Sequence, residues 1–576
     1  MKTLFKILAL LPLLTACNQD ADTHFKASSD TNTIKNSETA LSDKAQPAYQ
    51  PGDEIPATAY IEHDEIYNPE AVIPPQCYTR TDGKNNPCYV CHQTYTDDRP
   101  NVMKDVYLQG LYDFSDAGMT NSWKNLFKDR SEEIKNIPDD QILNWVNTDN
   151  YSDWVERESL RKESAAPSMF LENLADPVKA FDERGVARDG SHWIAFNYKP
   201  FPSAFWPTNG STDDVMIRLP AKFREIDGKY SEALYFVNLS LLELTMKRLS
   251  NISIPAVNEH DIGADLNGDG ILTENVSELV RLNNYLGDAS GIPVEDMLYP
   301  EGTEFLHTVR YVGVDNDGDI FVPKRMKEVR YMKKHQLKSR VALRSAYFLE
   351  AKEKHLGNLP LTVYIGERGI DNRFGWTLNA YIEDQHGQLR QQNKQEMAFC
   401  NGCHKTVGST IDQTFSFARK VEGEDGWGYI DLKAMKDVPT INETQGEYLT
   451  YFERVGGGDE FRQNKEMQEK YFENGTVNKE KVKSADSVYE LITPSRDRAL
   501  ALNKAYKRIV EEQSYIFGRD VVLTPANNVI ENIDADIAPL ENEFRFEYDI
   551  RLNWDNSNDQ QQLADSVHQS VSTSGY

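Results

Sequence analysis

Two pentapeptides, Cys88-Tyr89-Val90-Cys91-His92 and Cys400-Asn401-Gly402-Cys403-His404, each set two thiols three positions apart with an imidazole directly after the second. Thiols at that spacing face one side of a short helical turn and can add to the vinyl groups of a porphyrin, while the histidine reaches its iron. The pattern predicts two covalently attached haem c groups, with Cys88, Cys91, Cys400 and Cys403 as attachment points and His92 and His404 as iron ligands. A thioredoxin-like dithiol or a zinc site would use the same thiols. Zinc ribbons bring their second pair within a few tens of residues. Here Cys91 and Cys400 stand 309 positions apart (400 − 91), and each pair has its own histidine.

A second cofactor signal lies in Asp265-Leu266-Asn267-Gly268-Asp269-Gly270-Ile271-Leu272-Thr273-Glu274. Side-chain oxygens of Asp265, Asn267 and Asp269 occupy loop positions one, three and five, Gly270 allows the sharp turn, and the Ile271 carbonyl and Thr273 fill positions seven and nine. This is the first half of an EF-hand calcium loop. Position twelve is Val276 in place of a bidentate glutamate, so Glu274, Glu278 or water would close the shell, and binding would be weak and structural. The run Asp315 to Asp319 carries similar oxygens, but the strand-like segments beside it make it a hairpin turn.

The address of the chain is readable at its start. Met1 to Ala16 has Lys2 and Lys6 at its positive end and an apolar run from Ile7 to Leu14, too short to span a bilayer, so residues 1–16 are expected to be a signal peptide. Of six cysteines, four belong to the pentapeptides, leaving Cys17 and Cys77. Cys77 is expected to be a small buried residue.

Formal charge is −28 over 576 residues, and losing Lys2 and Lys6 with the leader takes it to −30. This balance excludes nucleic acid as a partner and favours basic docking proteins through electrostatic steering. Residues 17–54 are rich in Asp, Ser, Thr and Asn with few large apolar side chains, which predicts a flexible tether. Periodicity then divides the chain into a loop-and-helix haem c domain over 55–189, a mixed α+β domain with the calcium-type loop over 190–368, a mainly helical second haem c domain over 369–545, and a disordered tail over 546–576. The fold class expected is thus α+β and multidomain. Helices are predicted over Gln141 to Trp154, Ser231 to Met246 and Leu337 to Lys354, and from a Thr493-Pro494 cap through Phe517, with Gly456 as a helix stop.

Leu14-Thr15-Ala16-Cys17 resembles the lipobox of bacterial lipoproteins, which implies lipidation of Cys17; Asn18 after it implies sorting to the outer membrane, with the body on the periplasmic or cell-surface side. With the paired motifs, the chain resembles bacterial outer-membrane di-haem c-type cytochromes. Through those motifs alone it also resembles the di-haem cytochrome c peroxidases, MauG and the di-haem rubber oxygenases. Two function classes follow. One is an electron-transfer cytochrome with redox protein partners and a membrane anchor. The other is a di-haem oxidoreductase in which one iron is open and reactive. Apart from these two stands a binding or maturation protein with accessory haems. The sixth ligands would decide, since an empty position admits peroxide or oxygen. The remaining histidines include His192, His260, His307, His335, His355 and His386, and none is singled out by spacing. His192-Trp193 with Phe196, Tyr198, Phe201, Phe205 and Trp206 could wall a haem pocket, or simply fill a core.

Overall fold

Segments of alternating and β-branched sequence between 194 and 391 assemble into one antiparallel sheet. Its strands are β1 (Ile194–Ala195), β2 (Thr212–Arg218), β3 (Glu304–Arg310), β4 (Met326–Lys334), β5 (Val363–Tyr364), β6 (Ile370–Asp371), β7 (Trp376–Glu383) and β8 (Leu389–Gln391), in the order β1-β2-β3-β4-β7-β6-β5 with β8 also on β7. The computed structural model describes residues 72–93, 105–112, 114–160, 169–405, 407–456, 464–534 and 537–554. The tether, the leader and Cys17 lie outside the described residues, as do residues 555–576 of the expected tail; the start of that tail, 546–554, is instead packed into the body, with Tyr548, Ile550 and Leu552 buried and the first two part of its core.

Both faces of the sheet are covered. Val215, Ile217, Phe305, Met332 and Leu378 point into one core, while Met216, Leu306, Val329, Tyr331 and Tyr381 point into another, as the two-residue period of a strand requires. Buried ion pairs join neighbouring strands: Arg310 Nη2 lies 2.8 Å from Asp214 and Arg218 Nε 2.7 Å from Glu304.

Helices pack around this sheet: α1 (Asp139–Asn147), α2 (Ser152–Leu160), α3 (Glu232–Lys247), α4 (Arg340–His355), α5 (Lys394–His404), α6 (Glu447–Val455) and α7 (Arg496–Glu512). Ser231 and Ser339 cap α3 and α4 through their side chains, so the helix expected from Leu337 begins three residues later, at Arg340. The single helix expected over Gln141 to Trp154 is broken at Thr148–Tyr151. Asp149 accepts the N–H groups of Tyr151 and Ser152, and the buried Asn150 amide donates to the Met326 and Gly387 carbonyls; these side chains compete with the helix for backbone partners. The last long helix starts at Arg496 on a Ser495 cap instead of at Thr493-Pro494, and it ends where Gln513 turns left-handed, before Phe517. A short helix, Val488–Ile492, ends at Thr493, because the residue before a proline is pushed to extended geometry. Gly456 ends α6 in the left-handed conformation, as expected.

Antiparallel sheets with helices make the fold a mixed α and β one. The described residues all belong to one unit, and the boundaries expected at 189/190 and 368/369 fall inside it. Val186 bridges Ile194 across the first, and β6 and β7, beyond the second, belong to the same sheet as β2 to β4. The 55–189 segment, where described, is made of short turns and helices. Its core of Tyr78, Trp123 and Leu126 is completed by Val522, Val529 and Ile530 from the far end of the chain.

Candidate functional site

Each pentapeptide forms the helical turn its spacing demands. Cys88–Val90 is a tight turn in which the Cys91 and His92 N–H groups both donate to the Cys88 carbonyl, at 3.1 and 2.9 Å. Asn86 fixes its start by accepting the Tyr89 N–H at 3.0 Å. The second motif is the last turn of α5, whose opening is held by a reciprocal Asn393–Glu396 capping box. The motif cysteines are half-buried.

The histidines are oriented alike but by partners of different charge. His92 Nδ1 lies 3.1 Å from Asp105 Oδ2, and the second carboxylate oxygen accepts the Gln93 N–H at 3.1 Å. Asp105 is 1% exposed and has Lys354 Nζ at 3.3 Å. Burial works against its charge, but His92 and Lys354 outweigh it and hold the carboxyl below the usual range. His404 Nδ1 instead meets the Gln413 carbonyl at 2.7 Å. A carbonyl only accepts, so Nδ1 carries the proton. Burial pushes this imidazole down to about 4, leaving a neutral ring with its Nε2 lone pair available. The two histidines' own carbonyls are each taken by a side-chain amide, Gln109 on His92 at 2.5 Å and Asn372 on His404 at 2.8 Å.

The fold brings the two motifs into contact. The Gly408 N–H, four residues past His404, donates to the Cys91 carbonyl at 3.1 Å. Gly402, inside the second motif, sits so close to the segment leading into the first that a Cβ there would lie 2.4 Å from the Val72 carbonyl oxygen. An aromatic series also joins them: His404 to Phe415 at 5.6 Å, Phe415 to Phe201 at 5.0 Å, Phe201 to Tyr548 at 6.1 Å, and Tyr548 to Tyr89, one of the two residues between the first pair of thiols, at 5.7 Å.

Thiol pairs on helical turns, each followed by an imidazole anchored through Nδ1 with Nε2 left to bind, form the donor set a covalently held haem requires. The residues present fit that group. Zinc would need ligands converging on one point, and among the described residues no three His, Cys, Asp or Glu side chains do so.

Of the aromatic cluster read from sequence, Phe201 and Phe205 border this region, while His192 does not: its ring lies tilted against Tyr230 at 4.5 Å, with Arg224 and Arg218 nearby. In the calcium-type loop, Asp265 accepts the N–H groups of Gly268 and Gly270, Asn267 that of Asp269, and Asp269 that of Ile271. A four-residue helix, Glu259–Ile262, precedes the loop, and a strand, Val276–Val280, follows it. The loop is thus part of a hairpin, with Glu259 holding the N–H groups of Leu266 and Thr273. Asp315 to Asp319 is the expected turn between two short strands. Sequence spacing carried no signal for Asp105, Gln413 or the sheet face opposite α5.

A lipoprotein-like family model matches residues 61–489, a span that holds both motifs and the sheet and stops before α7. A relative in Aquifex aeolicus (strain VF5), described as an uncharacterized lipoprotein, is 33% identical over 530 residues, covering 81% of this chain and 89% of its own. The chain belongs to this lipoprotein family. Its lipoprotein character is consistent with an exported protein held at a membrane by lipid, and among the described residues no helix is long and apolar enough to cross one. No solved structure matches the chain.

Proposed function

We propose that the chain is a lipid-anchored, di-haem c-type electron-transfer protein, with Cys17 carrying the lipid at the outer membrane and electrons passing between periplasmic and outer-membrane or extracellular partners. The observation that carries the reading is the contact between two motifs separated by 309 positions in sequence (400 − 91). Nothing in local folding requires that contact, and it suits exchange between two redox centres. When bound, haem supplies a one-electron ferric/ferrous couple. Cys88, Cys91, Cys400 and Cys403 would hold the porphyrins, and the Nε2 atoms of His92 and His404 would bind iron. Asp105 and the Gln413 carbonyl fix the ring orientations by taking Nδ1. The Gly408–Cys91 hydrogen bond and the aromatic series offer electrons a path with short gaps. The excess of acidic residues favours basic partner proteins.

The test is spectroscopic and chemical. Denatured protein should carry the mass of two haems, and ferric and ferrous spectra should be unchanged by peroxide or carbon monoxide. A high-spin component that binds carbon monoxide and consumes peroxide would replace relay by the peroxidase or oxygenase class. Absence of covalently bound haem would end both readings. Cys17→Ser should release the protein from the membrane fraction; a variant still bound there would remove the anchor assignment.

A further inference from the structure

The sheet presents one imidazole toward the second motif. α5 and the loop after it run along β4, fixed at both ends. At one end Arg519 links Glu328 on β4, at 3.0 Å, to the Glu396 carbonyl on α5, at 2.8 Å. At the other, Lys334 on β4 holds Asp412 at 2.5 and 2.7 Å, one residue before the carbonyl that orients His404. Alternation along the strand puts Arg330 and Met332 on the same face between these anchors. His307 on β3 lies directly across from Arg330 in the antiparallel register.

His307 is poised without a hydrogen bond. Its Nε2 is buried and makes none; Asp213 Oδ2, which accepts the Tyr198 hydroxyl, lies 3.3 Å from it without hydrogen-bond geometry. Phe205 packs edge-on against the ring at 5.1 Å and also lies 5.1 Å from the Arg330 guanidinium carbon. Four residues before Phe205, Phe201 reaches Phe415, which touches His404. His307 and Arg330 both act electrostatically on His404, and Arg330 also on Cys400 and Cys403. Met332, the other ligand type on this face, is buried in the apolar core.

We propose that His307 is the second axial ligand of the haem held by Cys400, Cys403 and His404, placed by β3 with its Nε2 kept free of hydrogen bonds for iron. This rests on the haem reading of the second motif. An imidazole on both sides closes that iron to small ligands and lowers its potential relative to a methionine ligand, which suits relay over peroxide chemistry.

The full-length wild-type protein comes first: its ferric EPR and near-infrared magnetic circular dichroism should contain the signature of an iron with two imidazole ligands. In His307→Ala, one iron should become high-spin and take up one carbon monoxide per protein where the wild type takes none. Added imidazole should restore the low-spin spectrum, and the mass of two bound haems should not change. Wild-type spectra lacking a two-imidazole iron overturn the proposal even if the variant does not fold. A folded His307→Ala with both irons low-spin and inert to carbon monoxide overturns it as well. Wild-type protein without haem at the second motif would overturn it together with the reading beneath it, a result that mass measurement distinguishes from the other two.

Discussion

Asp105→Asn should raise the reduction potential at the first motif and leave the second unchanged. The wild-type carboxylate is 1% exposed and 3.1 Å from His92 Nδ1. There it would make the imidazole a stronger donor to a bound iron and so favour the ferric state. His404 has only a neutral carbonyl at the same atom, which makes it a control within the molecule. Removing such an outer partner changes metal binding by about 10- to 100-fold, and a tenfold preference between ferric and ferrous states corresponds to about 60 mV for one electron. Lys354, 3.3 Å from the carboxylate, offsets part of its charge, so the lower figure is the one expected. Asparagine keeps the shape and can still accept one N–H. The assay is an optical redox titration resolved into two components. Two unmoved midpoints, or a downward shift of the first, in a folded protein with two bound haems would refute the reasoning.

Asp412→Asn leaves Lys334 buried without its carboxylate; both side chains are 0% exposed, and breaking such a pair costs about 3–5 kcal/mol. Urea denaturation should read that loss, and a change under about 1 kcal/mol would be too small for the buried pair. Glu447 is buried against Arg419 and Lys199, which overcome its desolvation and lower its pKa from 4.5 to about 2. A depressed acid stabilises the fold above its unfolded pKa and loses that contribution as pH falls through the folded one, so about 3 kcal/mol should be lost between pH 4.5 and 2. Glu447→Gln should flatten the acid limb of the stability profile, and an unaltered limb would remove Glu447 from the account. Calcium chelation should lower the melting temperature through the Asp265–Thr273 loop without releasing haem; an identical melting curve counts against calcium there.

Signals that act over a few residues were legible. Ser231 opens its helix, Gly456 stops one, and the pentapeptides form the turns their thiol spacing requires, whereas the helix read from Leu337 starts at Arg340 behind a Ser339 cap. Where two local signals compete, the sequence does not decide: Thr493-Pro494 has the residues of a cap, but Ser495, whose hydroxyl oxygen accepts the Arg498 N–H, takes the role. The domain boundaries were not legible either, because Val522, Val529 and Ile530 complete a core begun at Tyr78 and Trp123. Apolar residues carry no mark of which distant partner they will bury against.

The sequence by itself determined the donor atoms: which thiols and imidazoles stand at haem-binding spacing, since covalent geometry and helical pitch decide that within five residues. Only the tertiary structure decided that the two motifs touch, that a carboxylate orients one histidine and a carbonyl the other, and that His307 lies on the sheet face opposite α5. Those relations depend on strand register and on the close approach at Gly402, which arise from contacts between residues far apart in the chain.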